Sequence, residues 1–516
     1  MMNNDIKKVL TSRWLKQGLV LLTLSSTTLT SCDSLLEVDS RHIVNEENKW
    51  KDINDARASL MGIYGLVRTA LSENNAQWVY GDLRAGDFIA PEKRELQEVI
   101  EGNLTSSNAL ITNLSSWRKF YAAINAANLF ISNSERIVAK DPQYTELNNK
   151  IDVAQARALK GFCYFQIARI WGDAPIWDKA YEGSFPAIET SSSDQVLAYA
   201  ERELKAAATV LPYRYGSKED EIYAIEKYHG SSFENWDGVL FNRLSVNAIL
   251  AHLTAWQGKY LESSVYSDFV LTNAAKAVAT YANSATFTSP EGYFFVSSNS
   301  HLVAFPSKWS ALEASFEGHI EQLTLSAPLV SKPKPDIYIP IERIMQIFHE
   351  PKDLRFHVNE TGQTVTSYFS EVGGIRPIFS KIKVIRGGTT DGSFPLFSST
   401  LVFSRLEDMA LLRAEALAVL GGNDDAVRGL LNQVRRSRGL PEVGQNVDVI
   451  NEIFEERRRE LMGEGWRWFD LVRYHKIKKQ DSQFVKLINE KGIYWPIAQE
   501  VLNNNRLLDQ NPYWKN

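Results

Sequence analysis

The stretch EDMALLRAEALAVLGGNDDAVRGLLNQVRRSR, residues 407–438, decides the fold. From Glu407 to Leu420 its apolar side chains recur at three- and four-residue spacings, which predicts a helix with one buried face. Gly421-Gly422-Asn423 interrupts the pattern as a turn, and Asp424 to Arg438 resumes it as a second helix. Ala414 and Ala418 stand where two closely packed helices need small side chains. Phe241 to Gln257, Gly258-Lys259-Tyr260 and Leu261 to Ala279 repeat the layout, with Ala251 and Ala255 in the same role.

These two units resemble tetratricopeptide-type helix pairs with degenerate signatures. Outward from them, helical spacing is read over Asp52 to Leu71, Ser115 to Val138, Tyr144 to Trp171 and Asp194 to Leu211. Gly172-Asp173-Ala174-Pro175 stops the third of these with a Gly and a Pro just past its end. Between Thr280 and Ser404 the character changes to Gly, Ser, Pro and aromatics. Short strand-like runs are read there at Ile337-Tyr338-Ile339 and Lys381 to Ile385, with one short helix at Ile341 to Phe348. The expected fold is mainly α: a scaffold over residues 49–279 and 405–516, interrupted by a loop-rich insert at 280–404. Long irregular stretches of this kind tend to carry binding.

The 516 residues are 44% hydrophobic and 23% charged, enough for a large core and far from the composition of a disordered chain. A formal charge of −5, with no run of five basic residues, excludes a nucleic-acid-tracking surface. Thirteen Trp and twenty Tyr supply flat faces suited to ligand stacking. Residues 1–31 read as a processing segment: Lys7, Lys8, Arg13 and Lys16 form a basic start, and Gly18 to Leu29 is apolar and uncharged. Leu29-Thr30-Ser31-Cys32 resembles a bacterial lipobox, which makes Cys32 the expected lipidation site and 32–48 a polar tether. Cys163, in an apolar stretch without a disulfide partner, is expected to be a buried small hydrophobe.

Several motifs together carry a resemblance to a known family. Arg405-Leu406-Glu407-Asp408 through Ala414-Glu415-Ala416 is similar to the "RxxDxxLxxAEA" helix of the SusD/RagB family. Glu456-Arg457-Arg458-Arg459-Glu460-Leu461 followed by Glu464-Gly465-Trp466-Arg467-Trp468-Phe469-Asp470 resembles that family's most distinctive segment. Ala156-Arg157-Ala158-Leu159, Tyr164-Phe165, Gly172-Asp173-Ala174-Pro175, Pro496-Ile497 and Gln510-Asn511-Pro512 fit the same pattern. The resemblance implies a SusD-like helical fold in a lipid-anchored, surface-exposed outer-membrane protein. It further implies that the protein binds a glycan or, as in RagB-like members, an oligopeptide. The ligand would then be delivered, with the protein acting as a lid, to a SusC-like TonB-dependent transporter.

The sequence offers little for catalysis. It has no Gly-x-Ser-x-Gly elbow, His-Glu-x-x-His helix or phosphate loop. His349, Glu350, Asp353 and His357 match no standard ligand spacing and are expected on a solvated loop, so no metal or cofactor is expected. Paired acids could suggest a glycosidase, the weaker alternative. Here, however, Glu456, Glu460, Glu464 and Asp470 are interleaved with Arg467 and Arg473 at ion-pair spacing, so they are expected to hold helix ends together. The chain is therefore read as a binding protein and not an enzyme. Sugar recognition needs aromatic faces beside planar polar groups. Two places qualify: the loop with Trp78, Tyr80, Arg84 and Asp87, and the insert with Phe305, Trp309 and Tyr338. After Arg84 no Trp occurs until Trp117, a departure from the glycan-binding pattern that keeps peptide or uronate ligands open.

Overall fold

In a computed structural model describing residues 50–183, 186–307 and 314–515, helix α1 spans Ile53–Ser72. The Asp52 carboxylate starts it by accepting the backbone N–H groups of Asn54 and Asp55, and Ala56, Leu60, Ile63, Tyr64 and Val67 form its buried side. The next long helices are α2 (Arg118–Asn133), α3 (Glu146–Ile170), α4 (Ser193–Ala208), α5 (Arg243–Trp256) and α6 (Tyr260–Asn273). After the insert come α7 (Leu406–Val419), α8 (Asp424–Ser437), α9 (Val449–Glu460) and α10 (Arg467–Lys478).

From α1 to α8 each of these helices packs on the next in chain order. That arrangement makes a layered row in which α6 touches α7 across the whole insert. Gly258 and Gly421 turn the two repeat-like pairs at φ +78° and +67°, which side chains disfavour. Between α7 and α8, Ala410, Leu411 and Ala414 interlock with Val427, Leu431 and Val434. Cys163 is fully buried in α3.

Antiparallel strands β1 (His301–Phe305) and β8 (Leu401–Arg405) close the insert, pairing His301 with Arg405 and Phe305 with Leu401. Inside it, β2 (Phe356–Val358) pairs β3 (Thr364–Thr366), β4 (Phe369–Ser370) pairs β5 (Ile378–Phe379), and β6 (Ile385–Gly387) pairs β7 (Leu396–Phe397). Short helices Ile320–Thr324 and Ile341–Ile347 interrupt these hairpins. Two expected strands are corrected. Residues 337–339 make a single bridge, Tyr338 with Ile89. In the 381–385 run only Ile385 belongs to a strand, because the Lys381 ammonium is drawn inward to the carbonyls of Glu460 and Met462 and to the Glu464 carboxylate.

The distinctive acid-and-arginine segment forms a buried ionic lattice. Glu460 is bound by Arg405, Arg438 and Arg355 at 2.8, 2.7 and 3.1 Å, and Glu464 by Arg405 at 2.9 Å. Arg457 bridges Asp408 and Asp470, both at 2.9 Å, and Arg473 joins Glu415 to Asp470. These pairs tie α7, α9, α10, β8 and the insert together, beside the pairs along the chain that the spacing suggested, such as Asp470 with Arg473 and Glu456 with Arg459. Glu350 pairs with Arg435 and Asp353 is fully buried against Arg355, so the expected surface loop, exposed at His349, Pro351, Lys352 and Leu354, is tied inward by its two acids.

Candidate functional site

Of the six residues expected to bind ligand, four lie in the interior. Trp78, Tyr80, Arg84 and Asp87 are 4%, 4%, 8% and 6% exposed, which corrects the expectation of an open stacking loop. The Trp78 indole N–H donates to Gly463 O at 3.0 Å, and the Tyr80 hydroxyl donates to Leu114 O at 2.6 Å. Tyr80 also sits edge-on to Trp171 and Trp495. Arg84 does not pair with Asp87. Its guanidinium donates to the carbonyls of Ile493 and Gly492 and lies 4.2 Å from the Trp468 ring, and burial lowers its pKa to about 9.

Asp87 pairs with Arg458 at 2.5 Å and Arg467 at 3.2 Å. Burial pushes its carboxyl up, but Arg467 and Arg458 outweigh that and hold it below the usual range. Nearby, Asp82 accepts the Gly465 N–H at 2.8 Å. The 76–87 segment is therefore a clasp on the Gly463–Arg467 turn. Tyr338 is half-buried, its ring 5.9 Å from the Arg376 guanidinium and its backbone bonded both ways to Ile89. Trp309 and Cys32 lie outside the described residues.

The insert does contribute to an open site at its first strand. Phe305 and Pro306, at the end of β1, meet α1 in a cleft of about 510 Å³, lined by Arg57, Met61, Tyr64 and Arg68. Arg57 and Arg68 are eleven positions apart, about three helical turns, so they share a face. Arg68 donates to Pro306 O at 2.9 Å and fastens α1 to the end of β1. Arg57 lies 5.3 Å from the Trp236 ring. The floor is rigid: the Tyr64 hydroxyl donates to Gln155 Oε1 at 3.0 Å and accepts the Phe241 N–H at 2.8 Å, and burial pushes its pKa well up. Gln155 in turn donates to the Tyr228 hydroxyl at 2.6 Å, and Tyr228 donates to Asp152.

Such a cleft sets two partly exposed guanidinium groups over a floor of buried aromatic rings. The Arg57 and Arg68 spacing is helical, but a polar pair on an amphipathic helix carries no signal that separates a cleft from an ordinary solvated face. Among the described residues no group of three or more ligating side chains could hold a metal, and no helix is long and apolar enough to cross a membrane.

Residues 397–491 match the family model described as "SusD family", and residues 44–224 match that described as "Starch-binding associating with outer membrane". A solved SusD superfamily protein from Bacteroides thetaiotaomicron shares 42% identity and a TM-score of 0.82, covering 90% of this chain and 99% of its own. SusD-like protein P38 from Formosa agariphila is 27% identical over 96% of this chain and 98% of its length. A SusD homolog from Bacteroides thetaiotaomicron, at 22% identity and TM-score 0.73 over 90% of this chain and 99% of its own, has the same fold. This chain belongs to the SusD family.

Proposed function

We propose that this protein is an outer-membrane lipoprotein that captures a glycan or oligosaccharide at the cell surface and passes it, as a lid, to a SusC-like TonB-dependent transporter. The observation that carries this reading is the cleft between α1 and the end of β1, where Arg57, Arg68 and Tyr64 line about 510 Å³. That volume falls within the roughly 300–1,000 Å³ of sites that enclose small organic ligands. Membership in the SusD family and the outer-membrane description of the matched model support the location.

The proposed role is binding without turnover. Glu456 and Glu460 are fully buried and engaged by arginines, so they do not form the open carboxylate pair that glycoside hydrolysis uses. The test is electrophoresis of the whole detergent-purified protein through native gels cast with single polysaccharides. Retardation by one polymer, lost in Arg57→Ala and Trp309→Ala, is the expected result. Equal mobility in every gel, with binding instead to a mixed oligopeptide library, would move the assignment to peptide capture.

A further inference from the structure

A second cavity shares no lining residue with the α1 cleft. It opens where α2, the chain following the Gly172-Asp173-Ala174-Pro175 stop, and the C-terminal helix Gln499–Asn504 meet, and it encloses about 800 Å³. On the α2 side Ala122 and Ala126, one turn apart, keep the surface low. Rings line the wall: Trp117 stands 5.7 Å from Tyr121, and Tyr121 4.6 Å from Trp177, which also neighbours Tyr181, outside the lining, at 5.7 Å.

The loop bearing Trp177 is held by its backbone. The Tyr121 hydroxyl donates to Pro175 O at 2.6 Å, Asn128 Nδ2 donates to the carbonyls of Trp177 and Lys179, and the Trp177 N–H donates to the Tyr164 hydroxyl at 2.6 Å. Asn125 exchanges two 2.9 Å hydrogen bonds with the Tyr181 backbone. A ring presented on a backbone fixed at this many points loses little freedom on meeting a ligand. Across the groove stand the exposed Asn504 amide and Asn505, whose Nδ2 donates to Ile188 O. Arg118 is the one charged side chain among the described lining residues, and it faces Glu500 at 3.6 Å.

We infer that this groove is a second binding site, for a neutral oligosaccharide that lies against Trp177 and is hydrogen-bonded by the Asn504 amide. Aromatic faces cover the C–H patches of a pyranose, and amides match its hydroxyls in both donor and acceptor sense. An anionic sugar would find Arg118 already facing a carboxylate. A long apolar ligand would have to bury the amides unpaired. The site goes beyond the α1 cleft and can fail without it.

The test is titration of the whole protein in detergent with maltohexaose, cellohexaose, xylohexaose and mannohexaose, with hexagalacturonate as the charged control. Tryptophan fluorescence and hydrogen exchange are the readouts. At least one neutral hexaose is expected to bind and to slow exchange over residues 117–129 and 499–508, with hexagalacturonate leaving both unprotected. Trp177→Ala is expected to weaken that binding about tenfold, the scale of one lost stacking contact. Ala126→Phe fills the groove from an open face and abolishes the binding without touching the core, and Arg57→Ala leaves it intact. The groove is refuted if no neutral hexaose protects these segments, or if Ala126→Phe binds as the parent does. Polysaccharide retardation sensitive to Arg57→Ala would survive either result and keep the α1 cleft standing.

Discussion

Glu460 accepts hydrogen bonds from three guanidiniums in a place without water access, and such a charge is tolerable only while all its partners remain. Glu460→Gln is expected to destabilise the protein by about 3–5 kcal/mol, because it strands buried arginine charge. The exposed Lys218–Glu226 pair is the control: Lys218→Ala is expected to change urea-unfolding stability by less than about 0.5 kcal/mol. Asp82 and Glu321 carry a pH dependence. Burial pushes both carboxyls up to about 7, so folding favours their protonated forms. Their contribution is complete below the ordinary carboxylate range and is lost as pH rises from about 4 toward 7. Asp82→Asn with Glu321→Gln is therefore expected to gain stability relative to the parent between those limits, measured by urea unfolding at about pH 4.5 and about pH 8. Roles at this scale were the least legible in the sequence. Trp78, Tyr80, Arg84 and Asp87 have the composition of a sugar-binding loop, yet an indole donating to Gly463 O and a guanidinium donating to carbonyls use the same groups for a clasp. Only the distance to residues nearly four hundred positions away distinguishes the two, and spacing along the chain does not contain it.

Helices were legible because their information is local: periodic apolar faces and Gly turns need no distant partner. The Glu407–Leu420 expectation became Leu406–Val419, and the turn at Gly421 fell where it was read. Strands in the insert were not, since two- and three-residue ladders draw their stability from whatever pairs with them. β1 and β8 lie almost a hundred residues apart and escaped notice for that reason. Two predictions belong here. At α4, Ser192 and Gln195 cap each other reciprocally, and Ser192→Ala is expected to cost about 1 kcal/mol in urea unfolding. At the clasp, a Cβ on Gly81 would stand 1.9 Å from Gly465 O, a backbone atom with nowhere to move. Gly81→Ala is expected to lower the melting temperature by the equivalent of about 1–3 kcal/mol or more, a larger loss than at Gly62, where a Cβ meets nothing within 4 Å.

For the molecule as a whole, the family was readable because its signature residues build the ionic lattice that joins α7, α9, α10, β8 and the insert. The open cleft was half readable: Phe305 was singled out, and its partners on α1 were not. If Cys32 carries the lipid, Cys32→Ala is expected to shift the protein from the membrane pellet to the soluble fraction, followed by immunoblot. The β1–β8 ladder has a consequence of its own. Because Phe305 and Leu401 sit side by side, everything between them leaves and rejoins the scaffold at one hinge-width doorway. The intervening 95 positions can lengthen or shorten without altering the distance that α6 and α7 must keep, provided Arg355 and Lys381 still reach Glu456, Glu460 and Glu464. A lineage could thus reshape the exposed hairpins of that cassette while keeping its two buried cationic anchors, and so leave the helical frame untouched.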